Sequence, residues 1–149
     1  MEKPAFVYVT YIRTTPEKLW SALTEPEFTR QYWGKTNISD WKEGSKWQHI
    51  AEDEPDPVYV TGEVLESVPP ERLVLTWADP DDPADNSRVT FEIESIKEMV
   101  RLTVSHGDFK PDSVMAGKVA GGWPLVLSSL KSFLETGKAI DISAAKCAK

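Results

Sequence analysis

Between Phe6 and Ile12 every residue is β-branched or aromatic, which predicts a first strand. Thr14 to Glu17 end it. Thr15 suits a helix N-cap, Pro16 the first helical position and Glu17 the positive helix end, so a short helix is expected over about 16–23. Leu19, Trp20 and Leu23 share one of its faces. Glu25 and Pro26 restart a second short helix, which Gly34 stops just after Tyr32 and Trp33. A weaker strand at 36–41 and strands at 45–51, 58–68, 72–77, 87–96 and 99–106 follow. In the last two the alternation is plain: Val89, Phe91 and Ile93, then Leu102, Val104 and His106. Short connections predict antiparallel neighbours. Two acidic, proline-rich stretches, Glu52–Pro57 and Asp79–Asp85, are expected as solvated loops.

From about Asp112 to Thr136 the period changes to that of a helix. One face collects Met115, Ala116, Val119, Ala120, Trp123, Val126, Leu127, Leu130, Phe133 and Leu134. The opposite face carries Lys118, Ser128, Ser132 and Glu135, with Leu125 as the exception. Gly137 ends the helix, and a small polar tail, 138–149, is expected to fray. Strands and helices are segregated along the chain, which argues for an α+β fold. The wide apolar face of the long helix can be buried only against the concave side of a curved antiparallel sheet. One domain, 1–137, results, with a cavity between sheet and helix.

Composition narrows the partners. The 149 residues suffice for one domain with a sizeable core, and 40% hydrophobic with 28% charged residues is ordinary for a globular chain. The net charge of −7 argues against nucleic acid and against an anionic membrane surface. No apolar run reaches the ~18 residues of a membrane helix. The single cysteine, Cys147, cannot form an internal disulfide, and the N-terminus lacks signal-peptide features, so a cytoplasmic protein is expected. Six tryptophans are an excess that suggests large aromatic surfaces in the core or around a pocket.

Several stretches carry a family resemblance. These are Thr15 to Thr24 at the strand-to-helix entry, Trp33-Gly34, the segment Gly62 to Leu73 with Thr76-Trp77 after it, and Gly122-Trp123-Pro124 followed by Leu127, Leu130 and Leu134. Together and in order they resemble the family similar to the C-terminal domain of the heat-shock-protein-90 ATPase activator. That family belongs to the START-like, or Bet v 1-like, helix-grip superfamily (SRPBCC). The resemblance runs from about Phe6 to Gly137. It implies a cavity between sheet and long helix that holds apolar or amphipathic small molecules, and it brings in a chaperone partner and a stress-response setting. Its members are functionally mixed and include lipid carriers, cyclases and proteins that sequester natural products. The eukaryotic co-chaperone has a separate N-terminal domain for which 149 residues leave no room.

Candidate chemistry is sparse. No Gly-x-Ser-x-Gly, P-loop or dinucleotide fingerprint is present, and Cys147 has no base partner in view. No metal is expected from two histidines without ligand spacing, nor calcium from the acidic stretches, and no cofactor is expected. His106, ending the last strand, is the candidate acid or base for a cyclase- or hydrolase-like enzyme, with Glu63 as an inward carboxylate; the alternative is a histidine satisfied within the fold. Thr61, Arg88 and Arg101 are further polar candidates, should their faces point inward. The candidate ligand-binding set is Trp33, Trp47, Tyr59, Trp77, Phe91, His106, Val119, Trp123 and Leu127, each of which could equally be core. Pro124 leaves the carbonyl of Ala120 without its helical donor, so a bend is expected at Gly121–Pro124. The leading expectation is a non-catalytic protein that carries, sequesters or senses an apolar or aromatic molecule. Uncovered edge strands leave room for a homodimer.

Overall fold

A computed structural model describes residues 4–55 and 57–142. Strand β1 (Pro4–Ile12) is followed by helices α1 (Pro16–Thr24) and α2 (Pro26–Trp33). Strands β2 (Thr36–Ser39), β3 (Lys46–Ile50), β4 (Val58–Val68), β5 (Arg72–Asp79), β6 (Asp82–Ile96) and β7 (Met99–Gly107) come next, and helix α3 (Val114–Thr136) closes the order. All seven strands form one curved antiparallel sheet in the order β1-β7-β6-β5-β4-β3-β2, with β1 and β2 at its edges. The α+β expectation holds. Thr15 caps α1 through a bond from the Lys18 amide, and Gly34 and Gly137 end α2 and α3 in the left-handed region, at φ 82° and 83°.

The core lies between the concave face of the sheet and α3. Inward residues of alternating strands (Leu73, Leu75, Val89, Phe91, Ile93, Leu102, Val104) meet Met115, Val119, Trp123, Val126, Leu127 and Leu130 of the helix. At about 1.5 Å per residue the 23 residues of α3 span about 35 Å, enough to cross the sheet.

Pro124 sits inside a helix that runs unbroken. The acceptor it leaves vacant, the carbonyl of Ala120, takes a hydrogen bond from the Tyr8 hydroxyl at 3.2 Å. Strand β1 thus supplies the donor that the proline lacks.

The acidic stretch 79–85 is not a loop. Strand β6 begins at Asp82, and its inward alternation continues through Asp85, Ser87 and Val89. Asp85 is buried at the start of α3, where its carboxylate accepts from the Ser113 hydroxyl (2.5 Å) and the Met115 amide (3.0 Å). Burial alone would raise its pKa; the Ser113 bond, the Met115 and Val114 amides and nearby Lys110 outweigh that and hold it below the usual carboxylate value. The other stretch, 52–57, is more exposed. There Glu52 pairs with Arg30 and Glu54 accepts from Tyr59, while Asp56 lies outside the described residues.

Past Gly137 the chain does not fray at once. Ile140 exchanges two hydrogen bonds with the buried Ser129 hydroxyl, and Ile142 is buried. The rest of the tail, Cys147 included, lies outside the described residues.

Candidate functional site

Gly62 explains how tightly the sheet side of the site is packed. The indole N–H of Trp47 donates to the Thr76 carbonyl at 2.8 Å, directly over Gly62. A Cβ on residue 62 would come within 2.0 Å of that carbonyl oxygen and 2.5 Å of the indole nitrogen. Trp47 is thereby fixed in the interior. Trp77 stands at its side with ring centroids 5.3 Å apart, and Trp33 and Trp123 pack on Trp77 at 6.4 and 5.5 Å. Four tryptophans from α2, β3, β5 and α3 form one aromatic cluster.

A cleft of about 250 Å³ opens beside this cluster. Its apolar walls are Trp33, Trp77, Trp123, Val60, Met115, Val119 and Val126, and it reaches the surface at the exposed Tyr59 and Lys118. Gly122 lines it as well, and a Cβ there would meet nothing within 4 Å, so the absent side chain leaves the cleft its room. Two lysines stand at the mouth. Lys35 lies over the Tyr59 ring, 4.7 Å from its centroid, and Lys118 projects from α3. Trp77 also carries a buried indole N–H with no acceptor among the described residues, a deficit worth about 1–3 kcal/mol.

Five expected wall residues, Trp33, Tyr59, Trp77, Val119 and Trp123, line this cleft. Trp47, Phe91, Leu127 and His106 belong to the packed core beside it. Glu63 is exposed on the outer face of β4, and the fold does not bring it to His106. Arg101 is held by Glu94 and Arg88 by Asp108, both away from the cleft.

His106 is at no mouth: it is completely buried. The Trp123 indole, which can only donate, gives its proton to Nδ1 at 3.0 Å. The ring proton therefore sits on Nε2, which donates to the Ser87 hydroxyl at 2.8 Å, and that hydroxyl donates to the Trp77 carbonyl at 3.2 Å. Both nitrogens are used, in the neutral tautomer. Burial pushes the pKa down to about 3, so the ring has no proton to exchange near neutrality.

The imidazole that lines the cleft is His49. It packs on Trp33 at 4.6 Å, and its Nδ1 lies 2.5 Å from Oδ1 of the buried Asn37. An amide oxygen only accepts, so Nδ1 carries the proton. Its spacing of two from Trp47 places it on the same inward face, and that spacing was the available signal. Lys35, Lys118 and Gly122 gave no comparable one. Among the described residues no group of three or more His, Cys, Asp or Glu could hold a metal ion, and no helix is long and apolar enough to cross a membrane.

Similar proteins agree with this architecture. The protein MLL2253 from Mesorhizobium loti is 29% identical, with a TM-score of 0.71 over 87% of this chain and 96% of its own. PFC0360w, an HSP90 activator from Plasmodium falciparum, is 25% identical, with a TM-score of 0.72 over 87% of this chain and 94% of its own. The Aha1 dimer from Colwellia psychrerythraea shares the fold at 20% identity and a TM-score of 0.73, covering 90% of this chain and 98% of its own. A comparison with curated proteins finds no match. Residues 13–135 match the model of one family, and the chain belongs to it: the activator of Hsp90 ATPase homolog 1-like proteins.

Proposed function

We propose that this protein binds a small apolar or aromatic molecule in the cleft between the sheet and α3, as a carrier, sequestering or sensing protein without catalysis. The observation that carries this reading is the cleft itself: about 250 Å³, walled by three tryptophans and open at Tyr59. That volume is just below the usual range of about 300–1,000 Å³ for ligand pockets, and suits a molecule of two fused rings better than a long lipid. A cyclase- or hydrolase-like role for His106 finds no support, because both ring nitrogens are committed and Glu63 is remote.

Gly122→Leu tests the reading. The side chain projects into the cleft from a helical position that tolerates it. Two-ring aromatic compounds should quench or shift the tryptophan fluorescence of the wild type and raise its melting temperature, and the variant should show neither effect at unchanged helicity. Binding that survives in the variant overturns this site.

Similarity to the Plasmodium HSP90 activator supports a second reading, a chaperone-binding protein, which an ATPase assay with purified chaperone separates from the first. A homodimer through β1, whose outer face exposes Val7, Val9 and Tyr11, is in keeping with the dimeric Colwellia relative.

A further inference from the structure

The cleft is apolar inside and carries two lysines at its lip. Lys35 comes from the start of β2's approach and Lys118 from α3, so the two ammonium groups stand on different elements at one opening. Neither makes an ion pair among the described residues. The chain carries 24 acidic against 17 basic residues; Arg13, Arg30, Arg72, Arg88, Arg101, Lys110 and Lys131 meet carboxylates, whereas Lys18, Lys42, Lys46, Lys97 and Lys138, like Lys35 and Lys118, have no ion pair among the described residues. What sets Lys35 and Lys118 apart from the other unpaired lysines is that both line this cleft.

Tyr59 organises the lip. Its hydroxyl donates to both carboxylate oxygens of Glu54, at 2.6 and 2.7 Å, and its ring face receives Lys35. A cation over a ring keeps its N–H donors available to an anion. Carboxylates do lie near: Glu54, Asp79 and Asp81 share a shallow depression with Lys118 on the outer side, and Asp141 shares a neighbouring one with Lys35. Glu54 is engaged by Tyr59, and Asp79 accepts from the Asp81 amide at 2.9 Å. The net charge of −7 opposes an approaching anion at long range, so any recognition is local, within a Debye length of about 8–10 Å.

We infer that the ligand is an amphipathic anion, an aromatic or apolar body bearing one carboxylate or similar group, with the body among Trp33, Trp77 and Trp123 and the anion between Lys35 and Lys118. This rests on the ligand-binding reading above and names the chemical class it takes. A neutral hydrocarbon would fill the walls and leave the lysines idle.

A matched pair of probes decides it: naphthalene-2-carboxylate and naphthalene-2-carboxamide, equal in shape and differing in charge. Titrations followed by tryptophan fluorescence should show the carboxylate binding roughly tenfold tighter at low salt, a preference that shrinks as salt screens it. The Lys35→Met/Lys118→Met double variant, its fold checked by unchanged helicity and a cooperative melt, should bind the two probes alike. Equal binding of both probes by the wild type overturns the anion assignment and leaves the ligand-binding reading intact. A preference that persists in the double variant overturns the role of these lysines. If neither probe binds the wild type, both readings fall.

Discussion

Two histidines stand a few ångströms either side of Trp77, and their surroundings are opposites. His106, 5.3 Å away centroid to centroid, is sealed: every polar atom of its ring has a protein partner and no side of it reaches the cleft. His49, 6.2 Å away, shares its wall with a cavity that opens to solvent. One sheet face therefore holds a closed half and an open half. In the closed half each side chain is specified by its neighbours and change is costly. The open half is lined by groups whose protein contacts leave space, so change there alters binding more than stability.

Substituting the same residue type in each half breaks the comparison most directly. Gly62→Ala sits where a Cβ meets the Thr76 carbonyl, and should cost about 3 kcal/mol or more in urea unfolding, because backbone and the Trp47 bond must both move. Gly122→Ala should instead be neutral or gain up to about 1 kcal/mol from helix propensity. Equal losses in both variants would erase the distinction.

His106 should make the closed half sensitive to acid. Its folded pKa lies below the unfolded value of about 6.5, so above that pH neither state binds the proton and stability is flat in this group. Below it only the unfolded chain is protonated. Stability then falls by up to about 1.4 kcal/mol per pH unit, down to about pH 3. Asp85 and Glu135, whose pKa values are lowered, also lose their contributions as pH falls, but in the carboxylate range. Unfolding free energies between pH 6.5 and 4.5 should therefore show a slope in the wild type that His106→Gln reduces by close to one proton. An unchanged slope would mean that the ring takes up a proton in the folded state. A smaller effect belongs to the seam between the halves: Tyr8→Phe should cost about 1–2 kcal/mol by leaving the Ala120 carbonyl without a donor.

Sequence pattern gave the scaffold well, and for a physical reason. Strand alternation and the helical stripe are repeated signals, so Val89, Phe91, Ile93 and Leu130 could be assigned inward with many neighbours in agreement. The site was legible in part. Trp33, Trp77 and Trp123 could be chosen as large aromatics, but whether such a ring faces a void or another ring depends on fractions of a side chain, as Trp47 and Phe91 show. Asp85 was hidden because its burial depends on Ser113 and the Met115 amide, some 30 residues on, which no local pattern encodes. His106 looked reactive for the same reason: its partners, Ser87 and Trp123, are remote in sequence. The kinship of the lysines at the cleft mouth arises only when α3 crosses the sheet.

The bond from Tyr8 to Ala120 has a consequence for the order in which the molecule assembles. Its two residues are separated by 112 positions, and the Arg13 amide reaches Glu135 across 122. On the ribosome the first strand emerges long before the helix that needs its hydroxyl, and before β7, its neighbour in the sheet. The N-terminal segment must wait, while β2 to β6 can form from nearer contacts. Joining β1 to α3 is thus a contact of long sequence separation, and the proline in the last helix ties that helix's own backbone bonding to it.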